Sequence, residues 1–308
     1  MKTSLSFNHL ISAHQLSIDD IMLLCKQALE IKENPQKKSL QFKSPKILAS
    51  LFFEPSTRTR FSFESAMIKL GGNYINLENS NSASTSKGES LEDMGKIISA
   101  YADIIVMRHP DSGSVSKFST YADVPVINGG DGPHEHPSQS LTDLTTILEN
   151  KKRLSELNIG FFGDLKYART TNSLIKLLTT FKDNHFTFIS SKELRINDTL
   201  RVFLKDKNQH FLEHNSLEDV IADLDILYVT RTQLERTKKE TISTISPITI
   251  NSLKAAKKEL IILHPLPRVT ELDTSVDSHP SAKYFEQANN GLYLRMALLK
   301  NLLSDTKT

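Results

Sequence analysis

The chain has a single cysteine, Cys25, among its 308 residues. A disulfide within the chain is therefore excluded, and so is a zinc site built on several thiolates. An excess of charge is also lacking: 38 Lys and Arg against 36 Asp and Glu leave a formal charge of +2. That balance gives no broad attraction for nucleic acid or for an anionic membrane, so any anion must be held by local clusters of Arg and Lys. No segment approaches the about 20 consecutive apolar residues that span a bilayer. Met1 to Gln15 carries one lysine and scattered polar residues rather than the apolar core of a signal peptide. The expected setting is cytoplasmic and reducing. Two glycine signatures are missing as well. Without Gly-x-x-x-x-Gly-Lys there is no Walker loop, and without Gly-x-Gly-x-x-Gly a nicotinamide dehydrogenase is disfavoured.

What is present is a repeated alternation of short apolar runs and helical patterns. Ile47 to Phe53, Asn73 to Leu77, Asp103 to Met107 and Val124 to Ile127 read as strands, with helices from about Thr57 to Gly71 and from Glu89 to Tyr101. After a helix near Ser138 to Asn150 the pattern restarts. Ile159 to Gly163, His185 to Ile189, Asp225 to Val229 and Leu260 to Leu263 are further strands, Ala168 to Thr180 and Asp198 to Asn208 are helices, and Gly291 to Leu303 is a last helix. This order predicts two α/β domains, each a parallel sheet flanked by helices, with the Ser138 to Asn150 helix crossing the boundary. A cleft between such domains is the expected ligand site.

Ligands of open parallel sheets sit beyond the carboxyl ends of the strands, which selects the loops to examine. The first is Glu54-Pro55-Ser56-Thr57-Arg58-Thr59-Arg60, between a strand and a helix. Pro55 can set the turn and Ser56 or Thr57 can cap the helix. Hydroxyls and Arg58 at a helix N-terminus suit a phosphate dianion, although the same residues fit a capped helix with solvated arginines. Arg108 follows another strand, in Arg108-His109-Pro110. The glycine-rich stretch Gly129 to Gln139 brings His136 and Gln139, which with Arg108 could converge as donors on a carbonyl oxygen. His134 and His136 also fit a surface pair or a His-x-His metal site; Glu135 is the only nearby carboxylate of obvious use, no cysteine helps, and no metal is expected. Arg169 and Arg231, each just past a strand, could clamp two carboxylates or stand as exposed arginines. His264-Pro265-Leu266-Pro267-Arg268 is stiffened by its prolines. It can offer fixed carbonyl acceptors to an NH2 group, or serve only as a connection.

Taken together, Phe53 to Glu64, Val106 to Pro110, His136-Pro137-Ser138-Gln139 and His264 to Arg268 resemble the aspartate and ornithine carbamoyltransferase family, in the family's order and over nearly the whole chain. The resemblance implies a carbamoyl-phosphate-binding domain, 1–138 plus 287–308, and an aspartate-binding domain, 139–286. Ser56, Thr57, Arg58 and Thr59 would hold the phosphate. Thr59, Arg108 and His136 would polarise the carbamoyl carbonyl, and Gln139, Leu266 and Pro267 would orient the carbamoyl amide. Arg169 and Arg231 would bind aspartate carboxylates with Gln233 beside them, and Glu54 would pair with Arg169 and Arg236. Lys87 would enter the site of a neighbouring subunit, making a homotrimer the smallest working assembly. The family usually has a phosphate-binding Ser four residues before this lysine, where this chain has Ala83.

The implied reaction is carbamoyl transfer from carbamoyl phosphate to the α-amine of L-aspartate, in pyrimidine synthesis, with no cofactor. Arg231 with Gln233, and Pro265 where ornithine enzymes have Cys, favour aspartate as the acceptor. The alternatives are another amine such as ornithine, or a non-catalytic anion-binding subunit. Separate regulatory chains are compatible with the same motifs.

Overall fold

Residues 4–78, 88–233 and 245–304 are described by the computed structural model. Lys87, Ala83 and Arg236 lie outside them. The chain divides into two units, Met1–Thr145 with Ala288–Thr308, and Thr146–Gln287.

In the first unit four parallel strands, β1 (Ile47–Phe52), β2 (Asn73–Glu78), β3 (Ile104–His109) and β4 (Val126–Asp131), are ordered β2-β1-β3-β4. Register is set by pairs such as Leu48↔Tyr74 and Leu48↔Ile104. Strand β1 is buried along nearly its whole length, as a near-continuous apolar run in a sheet covered on both faces should be. Alternation along the strands sorts the side chains. Ala49, Leu51, Ile105 and Met107 pack with Met94 of α3 (Leu91–Ser99) and with Val115 and Phe118 of α4 (Ser114–Ser119). Ser50 points the other way and donates to Glu64 of α2 (Thr57–Lys69) at 2.9 Å. The β4 edge is covered by Leu10, whose N–H donates to Val126 O at 2.8 Å.

A helix the sequence reading passed over, α1 (Ile18–Glu33), opens with a capping box of Ser17 and Asp20. It buries Cys25, to whose sulfur Thr145 Oγ1 donates at 3.4 Å. Burial pushes the Cys25 thiol up to about 12, so little nucleophilic thiolate exists near neutral pH. The native protein is expected to resist a thiol-specific reagent at pH 8 and to react with one equivalent once unfolded in guanidinium. Rapid labelling of the native chain would contradict this packing.

In the second unit β5 (Asn158–Gly163), β6 (His185–Ile189), β7 (Phe211–His214), β8 (Ile226–Thr230) and β9 (Ile261–Leu263) form a parallel sheet ordered β7-β6-β5-β8-β9. The chain also forms α6 (Arg169–Leu178) and α7 (Asp198–Asp206) here. One face of the sheet carries a cluster of rings, with Phe161 5.8 Å from Phe188 and 5.7 Å from Tyr228. The other packs Phe162, Ile189, Leu227, Val229 and Ile262 against Leu217, Val276 and Tyr284. The chain passes between the units within two helices, α5 (Pro137–Lys151) and α8 (Tyr284–Leu302). Among the described residues no helix is long and apolar enough to cross a membrane.

Candidate active site

Each sheet has one place where the strand order turns back on itself: between β1 and β3 in the first unit, and between β5 and β8 in the second. The carboxyl ends of those strands are where an open parallel sheet takes ligands. Glu54 to Arg60 follows β1 and Arg108 lies at the end of β3. Asp164 to Arg169 follows β5, and Arg231 to Gln233 follows β8.

In the first unit Ser56 holds the N-cap position of α2 but makes no capping hydrogen bond, contrary to the expectation for its hydroxyl. Arg108 Nη1 lies 3.5 Å from Ser56 Oγ instead. Thr57, Arg58 and Thr59 form the first turn, where helical N–H groups have no partner within the helix and the dipole favours an anion. Thr57 and Arg58 are exposed there, while Thr59 is buried. Thr59 Oγ1 lies 3.4 Å from His136 Nε2, and His136 is only 4% exposed. Gln139 stands in the first turn of α5, its N–H on His136 O at 3.0 Å. Ser56, Thr59, Arg108 and His136 are thus assembled around one helix N-terminus. The second histidine of the loop is turned elsewhere: His134 Nδ1 lies 3.2 Å from Asp131 Oδ2.

Arg108 is held in place by a carboxylate. Its Nε and Nη2 lie 2.9 and 2.8 Å from Glu54 Oε2. Glu54, which the family resemblance would pair with Arg169 and Arg236, engages Arg108 in this arrangement. Neighbouring His109 is edge-on to Phe53. Burial lowers its pKa from the ordinary histidine value, against the opposing fields of Asp111, Asp131 and Glu54.

In the second unit Arg169 opens α6 and is 6% exposed, so it is not a solvated arginine at a helix start. Arg231 is half-buried, its Nη1 donating to Thr232 O at 3.2 Å. Gln233 Nε2 donates to Arg231 O at 3.2 Å. The residue that ties these loops together is Asp164, which sequence reasoning passed over. Its Oδ1 accepts from the N–H groups of Lys166 and Tyr167 at 3.1 and 3.0 Å, and its Oδ2 from that of Gln233 at 2.9 Å. No local signal marked it, because its partner Gln233 lies 69 residues further along the chain. The same strand ends line a crevice of about 140 Å³, walled by Gly163, Ser191, Thr230, Thr232 and Glu271 among others. Arg169, Arg231 and Gln233 are not among its walls, so a carboxylate-binding role for them does not rest on it.

Leu266 and Pro267 lie beyond β9. Leu266 has φ +55° and the peptide bond to Pro267 is cis. A non-glycine residue at positive φ costs about 1–3 kcal/mol and persists where its surroundings impose it. Here the Leu266 N–H donates to His264 Nδ1 at 2.8 Å, while His264 Nε2 lies 2.8 Å from Glu271 Oε1. The histidine is buried, so the ring and carboxylate form a fixed frame for the Leu266 backbone. Burial alone would raise the Glu271 carboxyl, but its bonds to His264 and to backbone N–H groups hold it below the usual range.

A hydroxyl-and-arginine turn on one parallel sheet, and on the other a buried aspartate that ties together the strand-end loops leading to Arg169 and bearing Arg231, define a two-unit α/β protein equipped to handle small anions. Two family signatures match the chain: "Aspartate/ornithine carbamoyltransferase, carbamoyl-P binding domain" over residues 8–149, and "Aspartate/ornithine carbamoyltransferase, Asp/Orn binding domain" over residues 155–302. The chain belongs to the aspartate/ornithine carbamoyltransferase family. It is 48% identical over 299 residues to the aspartate carbamoyltransferase catalytic subunit of Finegoldia magna, covering 96% of this chain and 97% of the relative. Among solved structures it resembles the catalytic subunit of M. jannaschii aspartate transcarbamoylase, with TM-score 0.89, 42% identity, and 98% and 99% of the two chains covered. It also resembles the Trypanosoma cruzi enzyme in complex with carbamoyl aspartate and phosphate, with TM-score 0.87, 33% identity and 96% of each chain covered.

Sequence and structure lead to a prediction for Asp164. Asp164→Asn replaces an acceptor of three backbone N–H groups by an amide that can accept with one oxygen only. The KM for aspartate is expected to rise about tenfold, with the KM for carbamoyl phosphate little changed. Steady-state kinetics varying each substrate in turn checks this, and a parallel rise in both constants would contradict it.

Proposed function

We propose that the chain transfers the carbamoyl group of carbamoyl phosphate to the α-amine of L-aspartate, giving N-carbamoyl-L-aspartate and phosphate. The observation that carries this reading is the assembly of Ser56, Thr59, Arg108 and His136 at the N-terminus of α2, in a chain of this family. Ser56, Thr57, Arg58 and Thr59 hold the phosphate. Thr59, Arg108 and His136 donate to the carbonyl oxygen, where negative charge grows as the amine attacks. Gln139, Leu266 and Pro267 accept from the carbamoyl NH2. Arg169 and Arg231 bind the aspartate carboxylates, with Gln233 beside them.

The free-base amine is itself the nucleophile. Its nitrogen bonds to the carbamoyl carbon, the bond from that carbon to the phosphate oxygen breaks, and the amine proton leaves with the phosphate. Arg58 and Lys87 neutralise the departing dianion. Holding donor and acceptor together supplies much of the remaining acceleration.

In this reading Lys87 serves the site of an adjacent subunit in a homotrimer. The segment bearing it follows β2, an edge strand whose Tyr74 and Ile75 are 38% and 42% exposed; Phe61 and Ile68 of α2, at 50% and 57%, add apolar surface to the same unit. Exposed apolar groups next to an open sheet edge favour burial by association. Separate regulatory chains are not needed for the chemistry, and the reaction is placed in the cytoplasm. Incubating the purified chain with carbamoyl phosphate and a panel of amines tests the proposal. Carbamoylated product is expected with L-aspartate; product with L-ornithine but not with L-aspartate, or the lack of product with every amine tried, overturns it.

A further inference from the structure

Within the first unit, a buried carboxyl group of α5 is bonded to Gln139, and a buried guanidinium of α8 carries charge in the same interior. Gln139 Nε2 donates to Asp143 Oδ1, one turn further along α5, at 2.8 Å. Asp143 is fully buried. Arg295 of α8 is 4% exposed, its guanidinium carbon lies 5.0 Å from the centre of the Phe63 ring, and its Nε has no hydrogen-bond partner. Burial lowers the Arg295 pKa to about 10, and the Asp143 carboxylate is the charge that opposes the shift. A guanidinium so far from water is costly unless an anion faces it. Gly291 leaves it room, since a Cβ at that position would collide with Arg295 Nη1.

The arrangement has a chemical consequence for the amide. Gln139 presents its NH2 to Asp143, whose Oδ1 accepts. The amide oxygen is then turned the opposite way. An oxygen held there accepts from an NH2 group and offers nothing to a methyl group. We propose that Asp143 is a positioning residue that fixes the Gln139 amide with its oxygen toward the donor substrate, and so gives the site its preference for a carbamoyl over an acetyl group. This rests on the reading of Gln139 as a ligand of the carbamoyl amide. The carboxylate selects one of two amide orientations, and that orientation distinguishes NH2 from CH3.

The test compares carbamoyl phosphate as substrate with acetyl phosphate as competitor, in the wild type and in Asp143→Asn. An asparagine at 143 can accept or donate toward Gln139, so the amide loses its fixed sense. The KM for carbamoyl phosphate is expected to rise about tenfold or more, while the Ki for acetyl phosphate changes less than about twofold. Asp143→Ala removes the acceptor outright; it is expected to shift the same ratio in the same direction and serves if Asp143→Asn does not fold. A parallel rise in KM and Ki, or no change in either, reduces the cluster to packing and overturns the proposal. A wild-type chain that never turns over carbamoyl phosphate would instead overturn the functional reading beneath it.

Discussion

Replacing Arg108 by alanine is expected to lower kcat about 10²–10³-fold, the usual cost of removing one donor from a developing oxyanion. The guanidinium is set at the end of β3, with two nitrogens on Glu54 and a third near Ser56, so its direction is fixed before substrate arrives. Such preorganisation makes a donor worth more in the transition state than in the ground state. The stability cost should be small, because the Glu54 side chain is 27% exposed and water can solvate the carboxylate left behind. Arg108→Lys restores the charge but not the fork that spans Glu54 and Ser56, so it is expected to recover only part of the rate. Steady-state kinetics with a thermal melt on each variant checks this. Full activity in a folded Arg108→Ala protein would remove Arg108 from the chemistry.

Arg231→Ala is expected to act on the other substrate. Truncating one partner of a desolvated charge pair costs about 2–5 kcal/mol, which corresponds to a loss in kcat/KM for aspartate of about 30- to 5,000-fold. Binding of carbamoyl phosphate alone, measured by calorimetry, is expected to remain near the wild-type value, since the phosphate ligands are assigned to α2. Arg231 is steadied at the end of β8 by Thr232 and by the Asp164–Gln233 bond, so the variant removes a charge without dismantling its loop. Equal losses for both substrates would point to a collapse of the second unit rather than to lost recognition.

Much of this was legible because burial on both faces makes a parallel strand an apolar run. Ile47 to Phe52 shows that rule directly, and the loops bearing Arg58, Arg108, Arg169 and Arg231 follow from the strand ends. Other elements lacked such a signal. Strand β7 is a four-residue edge with Leu212 63% exposed, so no apolar alternation marks it. Helix α4 has six residues, too few to display a period. Strand β4 continues through Gly129 and Gly130 to Asp131, where the glycines read as a loop. An added Cβ at Gly129 would meet Met107 O at 3.3 Å, so a side chain there would press on the neighbouring strand. Helix α8 begins at Tyr284, seven residues before the expected Gly291, because its first turns are rich in Glu, Gln and Asn.

The supporting groups were the least visible. His264 and Glu271 frame Leu266, and Asp164 joins two loops 69 residues apart. Each depends on tertiary proximity that no local pattern encodes. Side chains that contact substrate carry recognisable motifs, whereas those that aim them are ordinary buried polar residues until coordinates place them together.

The most direct measurement follows the new bond itself. Carbamoyl phosphate isotopically labelled at the carbonyl carbon and L-aspartate labelled at nitrogen are mixed with the purified chain and followed by NMR. The expected result is a one-bond carbon–nitrogen coupling that grows in step with phosphate release. Phosphate release without that coupling, or coupling that forms only when ornithine replaces aspartate, would contradict the account.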